Sequence, residues 1–260
     1  MIGLQLTELA DVLGCATPDR QVQVDNIVTD SRKVRHGTLF AALAGSQVDG
    51  HDYAASAVQL GAAALLVSRR LDLDIPQLVV VDVLQALGRL ATMLRNQVDP
   101  VVIAVTGSNG KTTVKEMIAS ILACRGDVLA TRGNYNNELG VPLSLFEIEQ
   151  RHRFAVLEMG ASKAGDITYL CEIVRPDVGL ITNIGPAHLR GFGSEGGVVG
   201  SGGLPNAPTN VRVFFAPRVS ESHLSPPSTP VENPTSWGPA AVEPHDTLRA
   251  RETLLCIVVA

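Results

Sequence analysis

The stretch AVTGSNGKTTVKEM, residues 104–117, sets two glycines, a lysine and two threonines between an apolar run and a helical pattern. A strand has to feed this loop and a helix has to leave it. The run VVIAV ahead of it is rich in β-branched residues, as a buried strand is. Beyond it Val114, Met117, Ile118, Ile121 and Leu122 recur at 3, 4, 7 and 8 residues, which predicts a helix with one apolar face. Strand, loop and helix in this order belong to an α/β fold with a parallel sheet. In that setting Gly107 and Gly110 allow a tight turn that aims main-chain N–H groups inward, and the helix start adds its partial positive charge. Lys111 reaches outer phosphates, Thr112 offers a hydroxyl to Mg²⁺, and Ser108, Asn109 and Thr113 complete the cradle. The strict motif G-x-x-x-x-G-K-[ST] has glycine where Val105 stands, so this is a shorter variant of the phosphate loop.

The rest of the chain supplies more of the same architecture. ALLVS and QLVVVD read as buried strands, and LQLTELADVLG as an amphipathic helix, so residues 1–98 are expected to form one α/β domain. Asp99-Pro100 marks a boundary. After it VVIAV, FAVLEM and VGLITNI predict a second α/β domain, with a parallel sheet, over residues 99–195. From residue 196 to 260 the character changes: nine of the fifteen prolines fall here, with no lysine and no helical or strand period. About residues 196–250 are therefore expected to be disordered.

Composition narrows the function. Net charge is −5 with no basic stripe, which argues against nucleic acid as a partner. No apolar run approaches the roughly 18 residues of a membrane span, and Met1 to Ala16 lacks a basic start and an apolar leader core, so a cytoplasmic protein is expected. Cys15, Cys124, Cys171 and Cys256 are scattered and suggest neither zinc nor a disulfide framework.

TGSNGKTT resembles the phosphate loop of the Mur ligases, enzymes that build the peptide of bacterial cell wall precursors. Thr29 to Ser68 is similar to the uridine-nucleotide-binding N-terminal domain of that family. TRGNYNNELGVPLSL, residues 131–145, resembles the member that adds D-alanyl-D-alanine to UDP-N-acetylmuramoyl-tripeptide, and VLEMGA and NIGPAHLRGFGS follow in order. The resemblance covers about residues 1–195. It implies an ATP-driven amide ligation, in which the substrate carboxylate takes the γ-phosphoryl group and an amine displaces phosphate from the acyl phosphate.

By resemblance, Glu158 at a strand end and His188 are Mg²⁺ ligands and, with Lys111, the catalytic set. Asn134, Asn136 and Asn137 are implied as substrate contacts, although asparagines before a glycine are also ordinary turn formers. Ser31 and Arg32 are implied to meet the diphosphate or uridine, with Thr29 and Asp30 shaping the turn. Arg190 stands where the family commonly has glutamate.

Past GFGS the family continues into a helix whose carbamylated lysine bridges the Mg²⁺ ions, and then into a third domain. Here Lys163 is the last lysine and GSEGGVVGSGGLPNAPTN takes that place. A shift of coding frame near Ser194 is the expectation, with a natural flexible tail as the other reading. Without the bridge and the lid, the chain alone is expected to turn over little or no substrate. Two further functions stay open: a non-catalytic nucleotide-binding module, and the sister ligase that adds the third amino acid, against which NYNNELGVP speaks.

Overall fold

The apolar runs resolve into two parallel sheets joined by one long helix. The structure, a computed structural model, describes residues 2–20, 22–45 and 48–183, and the backbone of 212–215. All of these fall within one compact unit. The chain opens with strand β1 (Leu4–Gln5) and helix α1 (Leu6–Leu13), whose first turn is closed by the Gln5 N–H donating to the Glu8 carboxylate at 2.8 Å. Strand β2 (Gln23–Val24) pairs antiparallel with β1. Strands β3 (Asn26–Val28), β4 (Thr38–Ala41), β5 (Ala62–Val67) and β6 (Gln77–Val79) form the first sheet, with helix α2 (Ala54–Gln59) between β4 and β5 in the chain. Its order is β3-β4-β5-β6, parallel throughout.

Period-two alternation decides which way each strand faces. Leu39, Ala41, Ala64 and Leu66 turn into the main core, while Phe40, Ala42, Leu65 and Val67 meet Ala54 and Ala57 of α2 on the other face. The stretch QLVVVD is buried only at its start. The strand stops at Val79, itself 37% exposed, and Val81 is fully exposed. The reason is position: β6 is an edge strand, covered less than the strands inside the sheet.

Asp82 caps helix α3 (Val83–Val98) by accepting the Gln85 N–H at 3.0 Å, and Asp99 ends it in the left-handed region. Strand β7 (Val101–Thr106), helix α4 (Lys111–Ala123), strand β8 (Asp127–Ala130), helix α5 (Gly140–Leu145), strand β9 (His152–Glu158), helix α6 (Asp166–Val174) and strands β10 (Val178–Ile181) and β11 (Arg212–Phe215) follow. The second sheet has the order β11-β10-β7-β9-β8, again all parallel. Helix α3 packs on α1, α5 and α6, and Leu87, Leu90 and Leu94 share one core with strands of both sheets. Arg95 pins the far end of that helix: Nε donates to the Val174 carbonyl and Nη2 to the Arg175 carbonyl, both at 3.0 Å.

Two expectations need correction. The stripe assigned to α4 is split: Ile118 is buried together with Lys115, whereas Met117 and Ile121 are 47% and 42% exposed. The phase of this helix is fixed by the loop that starts it, and that phase turns Lys115 and Ile118 to the sheet. Arg212–Phe215, inside the stretch expected to be disordered, is a strand beside β10, in keeping with the β-forming sequence VRVFF around it. The rest of 196–260, and with it the remainder of the disorder expectation, lies outside the described residues.

Strand order positions the site. From β7 the chain crosses past β9 to β8, and later from β9 past β7 to β10, so the strands that follow β7 are laid down first on one side of it and then on the other. The crevice beyond the carboxyl end of such a strand is where open α/β sheets bind ligands.

Candidate active site

The loop at the end of β7 is held from the neighbouring strand end. Ser108 N–H donates to the Asn183 carbonyl at 3.1 Å and Asn109 N–H to Asn183 Oδ1 at 2.8 Å, while Thr182 Oγ1 donates to the Asn109 carbonyl at 2.6 Å. Gly107 sits at φ 135, and a Cβ there would lie 2.2 Å from Thr182 Oγ1 and 2.9 Å from the Asn183 carbonyl. Only glycine allows this approach. Gly110, at φ 78, is the N-cap of the 13-residue helix α4 and brings no side-chain acceptor. The first-turn amides of α4 thus face the loop mouth uncapped, with the positive end of the helix dipole behind them. Lys111 Nζ folds back to donate to the Gly107 carbonyl at 2.8 Å, which leaves two of its three N–H groups for an anion held in the ring.

Glu158, the last residue of β9, closes the other wall. It is 3% exposed; Oε2 accepts from Thr112 Oγ1 at 2.8 Å and Oε1 from Asn136 Nδ2 at 2.8 Å. Its main-chain N–H donates to Thr131 Oγ1 at 3.0 Å. Among the described residues no salt bridge reaches this buried carboxylate, so its charge is met by neutral donors alone. Such an anion beside a threonine hydroxyl suits a hard divalent cation, and Mg²⁺ uses one or two carboxylates completed by phosphate and water oxygens. The residues present therefore fit Mg²⁺. Among the described residues no group of three or more His, Cys, Asp or Glu side chains forms a ready-made metal cage.

The expected site residues divide into those drawn to this centre and those that stand apart. Gly107, Ser108, Asn109, Gly110, Lys111, Thr112, Asn136 and Glu158 come together. Thr113 is exposed and joins none of these bonds. The Asn136 carbonyl also accepts the Gly160 N–H at 2.7 Å, and the Asn134 carbonyl accepts the Asn136 N–H at 2.8 Å, so this turn wraps the carboxylate. Asn137 Oδ1 accepts the Gly140 N–H at 2.8 Å and serves the start of α5. His188 and Arg190 lie outside the described residues.

Ser31 and Arg32 occupy a 3₁₀ turn, Ser31–Lys33, capped by Asp30. The Arg32 guanidinium clasps the Asp30 carboxylate with Nε at 2.9 Å and Nη2 at 2.8 Å, and together with the Arg32 main-chain N–H this lowers the Asp30 carboxyl to about 2. A cleft of about 980 Å³ separates that turn from the second sheet. Thr29 and Asp30 line one side, Thr131, Gly133 and Tyr135 the other. Its size suits an extended ligand.

The sequence did not single out Lys115, Thr131, Thr182 or Asn183. Two of these are strand-end polar residues, and Asn183 opens the NIGPAHL segment. Lys115 shares the spacing i, i+3, i+7 with Ile118 and Leu122, a signal that becomes readable only once the phase of α4 is known.

Residues 105–199 match the Mur ligase middle domain, and residues 23–95 match the catalytic domain of the Mur ligase family. The UDP-N-acetylmuramoyl-tripeptide--D-alanyl-D-alanine ligase of Escherichia coli K12 is 46% identical over 198 residues, covering 76% of this chain and 44% of the relative. The ligase of the same name from Haemophilus influenzae is 49% identical over 205 residues, with 76% and 45% covered. A crystal structure of MurF from Acinetobacter baumannii is similar with a TM-score of 0.72 and 41% identity, over 76% of this chain and 45% of that one. MurF from Thermotoga maritima, solved in complex with ADP, is similar with a TM-score of 0.66 and 32% identity, over 73% and 49%. The chain thus spans a little under half the length of the relatives it matches.

Proposed function

The chain belongs to the Mur ligase family, and from that premise we propose that it binds ATP at Gly107–Thr113 and serves the ligation of D-alanyl-D-alanine to UDP-N-acetylmuramoyl-tripeptide in the cytoplasm. In the first step a carboxylate oxygen of the tripeptide attacks the γ-phosphorus, the bond to the bridging oxygen breaks, and ADP leaves. In the second, the dipeptide amine attacks the acyl phosphate carbon, loses its proton, and expels inorganic phosphate.

Phosphoryl transfer asks the protein mainly for positioning and charge neutralisation. The uncapped first turn of α4 and the loop amides hold the phosphate chain. Lys111, already turned over the ring, places a positive charge against its outer oxygens. Thr112 and Glu158 would hold Mg²⁺, with His188 implied as a further ligand; the ion supplies charge neutralisation on the phosphates when bound. We assign residues 1–98 to the uridine-nucleotide substrate, 99–195 to ATP, and 196–260 to neither. In this assignment the cleft receives the UDP substrate; Ser31 and Arg32, which follow the lining residues Thr29 and Asp30 without lining the cleft themselves, meet it only if Arg32 exchanges its bond to Asp30 for one to phosphate. Asn134, Asn136 and Asn137 shape the wall between the two substrates.

The observation that carries this reading is the Thr112–Glu158 pair facing a glycine loop whose helix has no side-chain cap. Calorimetric titration of Mg²⁺ and ATP into the chain and its Lys111→Ala variant tests it. Loss of charge-assisted bonds worth about 1.5–3 kcal/mol should weaken binding roughly 10- to 150-fold. Equal affinities for the two proteins overturn the assignment of the loop. Mass spectrometry of the chain with ATP, UDP-N-acetylmuramoyl-tripeptide and D-alanyl-D-alanine then shows whether it ligates unaided: joined product rules out a non-catalytic nucleotide-binding module, and its absence agrees with the expected low turnover of the chain alone.

A further inference from the structure

Lys115 lies one helical turn past Thr112 on α4, and its side chain is 1% exposed. Nζ donates to the Thr131 carbonyl at 2.6 Å and pairs with Glu116 Oε1 at 2.7 Å. Taking an ammonium out of water is costly, and a methionine would fill much of the same space without that cost. The groups it holds show what the charge does. Thr131, the residue after β8, is 1% exposed; its N–H donates to the Val156 carbonyl at 3.1 Å and its Oγ1 accepts the Glu158 N–H at 3.0 Å. The Glu158 carboxylate in turn accepts from Thr112, back on α4. The bonds close a ring, Lys115 to Thr131 to Glu158 to Thr112, that ties the start of one helix to the ends of two strands.

Resting on the reading of Glu158 as the carboxylate that faces the metal, we propose that Lys115 is a positioning residue of the nucleotide site. By drawing the Thr131 carbonyl onto α4 it fixes the threonine hydroxyl under the Glu158 amide, and so sets where the carboxylate stands opposite Thr112. It touches neither nucleotide nor metal. Removing the ammonium frees Thr131, and the carboxylate loses its aim while the loop amides and Lys111 keep theirs. The consequence is selective: the part of nucleotide affinity that depends on Mg²⁺ falls and the metal-free part does not.

Calorimetry with ADP as the probe, in Mg²⁺ and again in EDTA, on the full chain and its Lys115→Met, Thr131→Val and Glu158→Gln variants tests this. Lys115→Met and Thr131→Val should each lose about tenfold in Mg²⁺ and stay within about twofold of the parent in EDTA, as a support one step from a metal ligand does. Thr131→Val keeps the carbonyl that Lys115 needs and removes only the hydroxyl, so it decides by the same criterion if Lys115→Met does not fold. Equal losses with and without Mg²⁺ mark Lys115 as a plain structural clamp and overturn the proposal. So does a Glu158→Gln variant that loses the Mg²⁺-dependent part while the other two retain it. A Glu158→Gln variant that retains it overturns the reading of Glu158 itself, and the role of Lys115 with it.

Discussion

Two buried polar clusters, one beside each sheet, use similar side chains to opposite ends. Beside the first sheet His51, 5% exposed, has both ring nitrogens engaged with protein. Nδ1 meets Asp49 Oδ1 at 2.5 Å, Nε2 accepts the Ser68 N–H at 3.0 Å, and Asp49 also takes Arg69 Nη2 at 2.9 Å. An acid, an imidazole and a serine hydroxyl 3.2 Å from Nε2 have the composition of a nucleophilic triad. The Ser68 main-chain N–H nevertheless occupies the lone pair that a base would need, so the trio is a brace between the loop before α2 and the end of β5. At the second sheet Glu158 receives, among the described residues, only neutral donors and has no salt-bridge partner at the loop mouth. Residue type marks neither cluster as a site; unspent bonding capacity marks the second.

The comparison breaks most readily at His51. His51→Ala leaves the buried Ser68 N–H without its acceptor and opens a cavity, which should cost about 3 kcal/mol in urea unfolding. Affinity for ADP and Mg²⁺ in the folded fraction should not change. A variant that keeps its stability and loses nucleotide would place His51 in the site and erase the contrast.

Glu158→Gln should do the reverse with a smaller energy. The amide can accept from Asn136 and donate to the Thr112 hydroxyl, so unfolding should shift by less than about 1 kcal/mol. The lost charge should still lower Mg²⁺-dependent ADP affinity about tenfold, or about 1.4 kcal/mol. A large loss of stability here would make Glu158 a brace as well.

The two clusters also differ in how far the sequence disclosed them. The loop was legible because its requirement is a backbone one: φ 135 and a 2.2 Å approach at Gly107 can be met by glycine alone, and glycine is visible in a sequence. Glu158 was visible at the end of an apolar strand, but its role there was implied only by the family resemblance. The ring behind it was not legible, because Lys115 reads as a solvated lysine until the phase of α4 is known, and the phase comes from the loop rather than from the apolar count. Met117 and Ile121 misled that count for the same reason. The two α/β domains, and the parallel sheet of the second, followed from runs of buried strand residues, but the edge position of β6, and so the exposure of Val81, depends on strand order, which no local pattern carries. Asp49, His51 and Ser68 are separated by sequence and gave no period at all.

The smallest effect sharpens the brace itself. The Asp49 carboxyl is held well below the usual carboxylate range, first by the His51 main-chain N–H, then by its ring and by Arg69. An unfolded aspartate titrates near about 3.9, so between that value and the lower native one the folded chain binds fewer protons than the unfolded one. Stability therefore rises with pH across this window; the contribution is complete above about pH 4 and is lost as pH falls below it. Asp30 and Glu149, also held low by arginines, titrate alike in the parent and in an Asp49→Asn variant, so they cancel and the difference between the two proteins reports on the Asp49–His51 pair. The urea midpoint of the parent should drop more between pH 5 and pH 3 than that of Asp49→Asn. Equal drops would mean that the Asp49 charge adds nothing to the hold on His51, and that Ser68 carries the brace alone.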